Sequence, residues 1–275
     1  MINTLKSDRQ TDRQTDRQTD IYSKIFIMIC IVVIGMVVFT HEKRQQDRIA
    51  ILEQDIDYLK YENSDKLLNW MDENYNYLAI GNSITLHGKT DYWWNECGMA
   101  ATDKENDYVH KLVSMLEKRE SKVDVYAYNL HYWELQATDR GETLSQLDNM
   151  LSDKLNLVTL QLGENVTDLS TFQEDFNELI NYVKEKAPNA TIAVIGDFWT
   201  YENRDDIKRN VSKECEIEYI DLNEIKDNEN YQAGMGTKVY GDDGTEHIIE
   251  HEGIAGHPGD NAMNYIAEKI YQAIK

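Results

Sequence analysis

The chain runs to 275 residues and carries 50 acidic against 28 basic side chains, for a formal net charge of −22. A balance this acidic excludes nucleic acid and anionic lipid surfaces as partners held by charge. It does not select a small substrate, and residues 73–275 are ample for one buried core.

The front of the chain reads as three short segments. Asp8 to Asp20 spell DRQTDRQTDRQTD, polar and without an apolar face, so residues 1–24 are expected to form a disordered cytoplasmic tail. A repeated GACA tetranucleotide would encode the same repeat, and slippage of such a tract would switch the gene on and off between cells. Mixed Arg and Thr codons would remove that idea. Residues 25–40 open with IFIMICIVVIGMVVF, which has no charge and is followed by no small-residue cleavage pattern. This predicts one transmembrane signal anchor in place of a removed signal peptide. Lys6, Arg9, Arg13, Arg17 and Lys24 precede the span and Lys43, Arg44, Arg48 and Lys60 follow it, so charge hardly orients it. With the short tail inside, the rest of the chain is extracytoplasmic. Residues 41–72 are charged and place Ile49, Leu52, Ile56 and Leu59 on a heptad seam, which predicts a helical stalk pairing weakly with a second copy. Leu67, Leu68 and Trp70 are expected to pack on the domain at 73–275.

That domain begins with YLAIGNSITLHG at Tyr77–Gly88, an apolar strand emptying into a Gly-Asn-Ser turn. Ser83 would then stand at the carboxyl edge of a sheet, where open α/β folds bind ligands. A serine nucleophile needs a base and an oxyanion site. Asn165, in the Gly163-Glu164-Asn165 loop after the apolar run Leu157–Leu162, can donate its amide hydrogens to an oxyanion. His257, in GIAGHPGDNAM ahead of a helical pattern, has the pKa range of a general base. Each has a bland reading: Ser83 as a helix N-cap, Asn165 as a turn residue, His257 as a loop histidine before proline.

Strands are predicted at 75–80, 123–128, 157–162, 190–196 and 217–221, and helices near 107–119, 142–153, 170–186, 203–213 and 259–274. The alternation predicts an α/β class with a parallel sheet. Tyr92, Trp93 and Trp94 follow the serine turn, and Trp199 and Tyr201 follow the fourth strand. They read either as an aromatic platform for a sugar ring or as core. His247-Ile-Ile-Glu250-His251 matches the H-x-x-E-H zinc pattern, but it lies between Gly244 and Gly253, and paired isoleucines suit a strand better than the helix that pattern requires. No metal and no cofactor are expected. Cys97 and Cys215 form either one disulfide or none.

The order Ser83, Asn165, His257, with GNS after the first strand, G-x-N after a middle strand and HP before the last helix, resembles the SGNH (GDSL-like) hydrolase family over residues 73–275. The resemblance implies a flavodoxin-like, three-layer α/β/α fold with about five parallel strands. It also implies ester hydrolysis or acyl transfer through an acyl-serine, with Ser83 as nucleophile, Asn165 as oxyanion donor and His257 as base. Surface glycan O-acetyl groups and acylated small molecules are the implied substrates. The chain departs from the family pattern twice. No glycine follows the second strand, leaving the backbone amide of Leu130 or His131 as the further oxyanion donor. No aspartate stands three residues before His257, leaving Glu252, Asp242 or Asp243 as the acid, or a Ser-His dyad oriented by a backbone carbonyl. A catalytically silent binding domain in cell-surface assembly is the alternative from another class.

Overall fold

The computed structural model describes residues 68–136 and 140–274. The tail, the membrane span and nearly all of the stalk expected at the front lie outside the described residues, as does the seam on which the paired copy rests. Among the described residues no helix is long and apolar enough to cross a membrane. Trp70 is buried, and its indole N–H donates to the Met150 carbonyl at 2.7 Å. Leu68 packs on the same core.

Five parallel strands form the sheet: β1 (Tyr75–Gly81), β2 (Val123–Asn129), β3 (Leu157–Gln161), β4 (Thr191–Ile195) and β5 (Glu218–Ile220). Their order is β2-β1-β3-β4-β5, which meets the flavodoxin-like expectation. Strand period two divides the core. Leu78, Ile80, Val158, Leu160 and Val194 face helices α4 (Phe172–Lys186) and α5 (Arg204–Glu214), where Phe176, Ile180 and Val211 meet them. Tyr77, Ala79, Leu157, Ala193 and Ile195 face α1 (Tyr108–Leu116) and α7 (Asp260–Ala273) through Leu112, Met263 and Ile266. Burying one such side chain stabilises by about 2 kcal/mol, more than a typical exposed ion pair, so the two apolar faces hold the sheet.

The helix predicted at 142–153 is instead a short α3 (Arg140–Thr143) running into a 3-10 turn at Leu144–Leu147. Leu144, Leu147 and Met150 are buried at a spacing of three, the repeat of a 3-10 helix, in which side chains three apart eclipse. The paired isoleucines begin in a strand, as their type suggested: β7 (Glu246–Ile248) pairs antiparallel with β6 (Lys238–Tyr240), which went unpredicted, as did α2 (His131–Leu135) and α6 (Glu252–Ala255). The hairpin and α6 share a small third cluster. In it Trp93, Cys97, Met99 and Ala100 pack on Val239, Ile249, Ile254 and Ala255.

The fold decides between the alternatives left open at two places. Trp93 is fully buried in that third cluster, so it belongs to the core and offers no face to a substrate. Cys97 and Cys215 are free thiols in different clusters, with no bond between them.

Candidate active site

The order of strands reverses between β1 and β3, and the loops leaving these two strands carry Ser83 and Asn165. A Cβ at Gly81 would lie 1.9 Å from the Thr85 hydroxyl, so only glycine lets the chain fold back there. Asn82 then organises the turn. Its N–H donates to the Gln161 carbonyl at 3.2 Å, its side-chain oxygen accepts from the Ile84 amide at 3.0 Å, and its carbonyl accepts from Thr85 and Leu86. Asn82 therefore satisfies the turn amides, no helix starts there, and the Ser83 hydroxyl is released from capping duty.

That hydroxyl lies 3.0 Å from His257 Nε2. His257 Nδ1 lies 2.7 Å from the Gly253 carbonyl, which can only accept, so Nδ1 carries the proton and Nε2 presents its lone pair to serine. Burial lowers the imidazole pKa to about 4; the Gly253 carbonyl works against this shift and the neighbouring His87 adds to it. The ring is neutral at pH 7 and ready to accept a proton. Trp199 meets it edge-on with ring centres 5.0 Å apart, and the Trp199 indole N–H donates to the Gly256 carbonyl at 3.0 Å.

Asn165 sits in a loop held from two sides. Gly163 has φ +120°, a backbone conformation that favours glycine. One guanidinium nitrogen of Arg204 donates to the carbonyls of Glu164 at 3.0 Å and Val166 at 3.1 Å, the residues flanking Asn165. Arg204 belongs to a buried ion cluster in which it and Lys208 pair with Asp197, and its second nitrogen reaches Glu164 at 3.2 Å. Burial pushes both acids up. Lys208 and Arg204 outweigh it at Asp197, whereas Asp197 itself drives Glu164 further up. On the other side, the Asn165 side-chain amide donates to Glu134 at 2.7 Å.

Glu134, on α2, was not found from the sequence. Its side chain is buried, yet it accepts from the Asn82 side chain at 3.1 Å, the Gly163 amide at 2.5 Å and Asn165. His131 Nδ1 lies 3.4 Å away. Burial pushes its carboxyl up, but His131, Asn165 and Asn82 together hold it below the usual glutamate range. The only signal was its position five residues after β2, inside a helix too short to show periodicity.

Several expected contributors stand elsewhere. The Leu130 amide donates to the Gly81 carbonyl at 2.7 Å and the His131 amide to the Asn129 side chain at 2.8 Å, so neither is free for an oxyanion. Glu252 is exposed at the start of α6, and the contact it was expected to make with His257 is made by the Gly253 carbonyl. Asp242 pairs with Lys89 at 2.8 Å and Asp243 accepts from the Thr245 amide, both in the hairpin loop. His247 lies on β7 and stacks on Trp94 with ring centres 4.2 Å apart, while His251 caps α6 by accepting from the Gly253 amide. The two histidines of the H-x-x-E-H pattern thus share no helical face. Of the three tryptophans expected at the substrate, only Trp199 touches the Ser83–His257 pair through His257.

A five-stranded parallel sheet in this order, with serine after β1, asparagine after β3 and histidine ahead of the last helix, is the arrangement that the resemblance to the SGNH (GDSL-like) hydrolases implies. Neither a family model nor a curated protein matches the chain. Among solved structures, similar ones include a two-domain esterase active on acetylated mannans, at 13% identity over 81% of this chain and 52% of that one, with a TM-score of 0.47. A family two carbohydrate esterase from Clostridium thermocellum matches at 16% identity over 73% of this chain and 63% of that one, with a TM-score of 0.43. Phospholipase A1 from Streptomyces albidoflavus matches at 14% identity over 73% and 99%, with a TM-score of 0.45. The chain thus spans about half the length of the two-domain esterase. Likeness at these scores decides nothing about chemistry, which the contacts around Ser83 carry.

Proposed function

We propose that the chain is a membrane-anchored serine esterase or O-acyltransferase, acting on acyl esters, foremost O-acetyl groups, of extracytoplasmic glycans. The observation that carries the reading is the 3.0 Å contact between Ser83 Oγ and a neutral His257 whose other nitrogen is held protonated by Gly253. In this reading Ser83 Oγ attacks the ester carbonyl carbon as its proton passes to His257 Nε2. The carbonyl oxygen becomes an oxyanion facing the Ser83 amide and the Asn165 side-chain amide. The tetrahedral intermediate collapses, the C–O bond to the alcohol breaks, and His257 returns the proton to the departing oxygen. Water or a glycan hydroxyl then gives its proton to His257 and attacks the acyl-serine; the bond from the acyl carbon to Ser83 Oγ breaks, His257 returns the proton to Oγ, and acetic acid or an acetylated glycan leaves. The base works without a carboxylate partner: Gly253 fixes its tautomer and ring plane, and its depressed pKa keeps it unprotonated. The glycan preference rests on the family resemblance together with the apolar segment at 25–40, which would hold the site beside the cell surface.

The test is hydrolysis of an aryl acetate and labelling by a fluorophosphonate, side by side with Ser83→Ala. Both should be present in the wild type and absent in the variant. A folded wild type that shows neither, with or without a glycan acceptor, would move the reading to a binding domain that keeps the fold without the chemistry.

A further inference from the structure

We propose that Glu134 is the positioning residue for the oxyanion donor: one buried carboxylate ties the nucleophile turn to the asparagine loop and aims the Asn165 amide. The inference rests on the esterase reading and goes beyond it, because it assigns a fourth residue, on α2, to the same site. One carboxylate oxygen takes the Asn82 side chain at 3.1 Å and the Gly163 amide at 2.5 Å; the other takes Asn165 at 2.7 Å. Asn82 adjoins the nucleophile and Gly163 opens the asparagine loop, so the two halves of the site are held to one fixed group. The assignment also has a chemical direction. A carboxylate only accepts, so the group facing it from Asn165 must be the NH2, and of that group's two hydrogens one is held by Glu134 and one remains for substrate. A side chain at 134 that donated instead would turn the asparagine over and present its oxygen. The amides of Leu130 and His131 are already committed, so the site depends heavily on this single side-chain donor.

The substitution Glu134→Gln keeps the shape and reverses the hydrogen bonding on one side. In the full chain, with an aryl acetate as substrate, kcat should fall about 10²-fold, the loss typical of one oxyanion donor, with KM changed less than about threefold. In an Asn165→Ala background the same substitution should cost less than about threefold, because its effect passes through Asn165. The acid limb of the pH–rate profile, which belongs to His257, should not move. Full activity in Glu134→Gln, or an equal loss in both backgrounds, would overturn the assignment. Should Glu134→Gln not fold, the exchanged pair decides: Asn165→Asp sets two carboxylates against each other and lowers Tm, and adding Glu134→Gln should restore Tm without restoring kcat. Failure to restore Tm would equally overturn it. The melting comparison reads the contact whether or not the chain is an esterase, so failure of the esterase reading would show separately, as absent turnover in the wild type.

Discussion

The Nδ1–H of His257 donates to the Gly253 carbonyl across 2.7 Å, so a main-chain oxygen four residues upstream stands where a triad carboxylate would. A carbonyl fixes the tautomer as a carboxylate does but brings no full charge to stabilise an imidazolium. Glu252, next along α6, is exposed. Replacing Glu252 by Gln should leave kcat/KM for an aryl acetate within about twofold. A loss of a hundredfold or more would mean that this carboxylate reaches the base during turnover.

The pH dependence follows from the same ring. With the His257 pKa lowered to about 4 by burial, kcat/KM should be flat from neutrality to about pH 5 and fall through about pH 4 as the base protonates. Stability carries a matching signature. The ordinary value for the unfolded chain is 6.5, so the stabilisation from keeping His257 neutral is complete above that pH and is lost as pH falls through about 4. Urea midpoints at pH 7 and pH 5 should differ more for the wild type than for His257→Gln. Equal differences would remove His257 as the source.

Asn165→Ala should lower kcat about 10²- to 10³-fold while leaving the fold intact, since its loop is held by Arg204 and Gly163 whatever the side chain. Thermal melting beside steady-state kinetics would check both halves of the statement. A variant equally active and equally stable would take Asn165 out of the site.

Arg204→Met leaves Asp197 and Glu164 buried with one cation fewer, and removal of one partner from such a cluster costs about 3–5 kcal/mol. The urea midpoint should fall accordingly, and activity should fall with it, because the same guanidinium holds the carbonyls on either side of Asn165. Activity retained in a destabilised variant would separate the cluster from the loop.

With Cys97 and Cys215 both free and buried, a reductant should leave Tm unchanged. A fall in Tm on adding dithiothreitol to the purified chain would reveal a bond between them.

The legible part of this molecule is the part written in periodic runs. Tyr77–Ile80 and Leu157–Leu160 are buried on both faces, so they are apolar at every position or nearly so, and the expected strand positions agree with the structure within a residue or two. Ser83 and His257 were legible because each sits where a strand or helix pattern breaks. Glu134 was not, since the five residues of α2 span little more than one turn and a lone acidic residue there reads as surface. The carbonyl partner of His257 was legible only as an alternative, because any residue supplies a carbonyl and its aim depends on how α6 ends. Leu130 and His131 misled for a related reason: a backbone amide is present in every residue, and only the fold decides whether another carbonyl or side chain has already taken it.

Ser83 and His257 are 174 positions apart in the chain, yet the segments beside them share the cluster of Trp93, Cys97 and Met99 with Ile249, Ile254 and Ala255. The spacing between Ser83 and His257 is therefore upheld by a miniature core outside the main sheet. Anyone grafting this pair onto another scaffold would have to carry residues 88–101 together with 233–258, for trimming 88–101 alone would strand the histidine without touching Ser83 or His257.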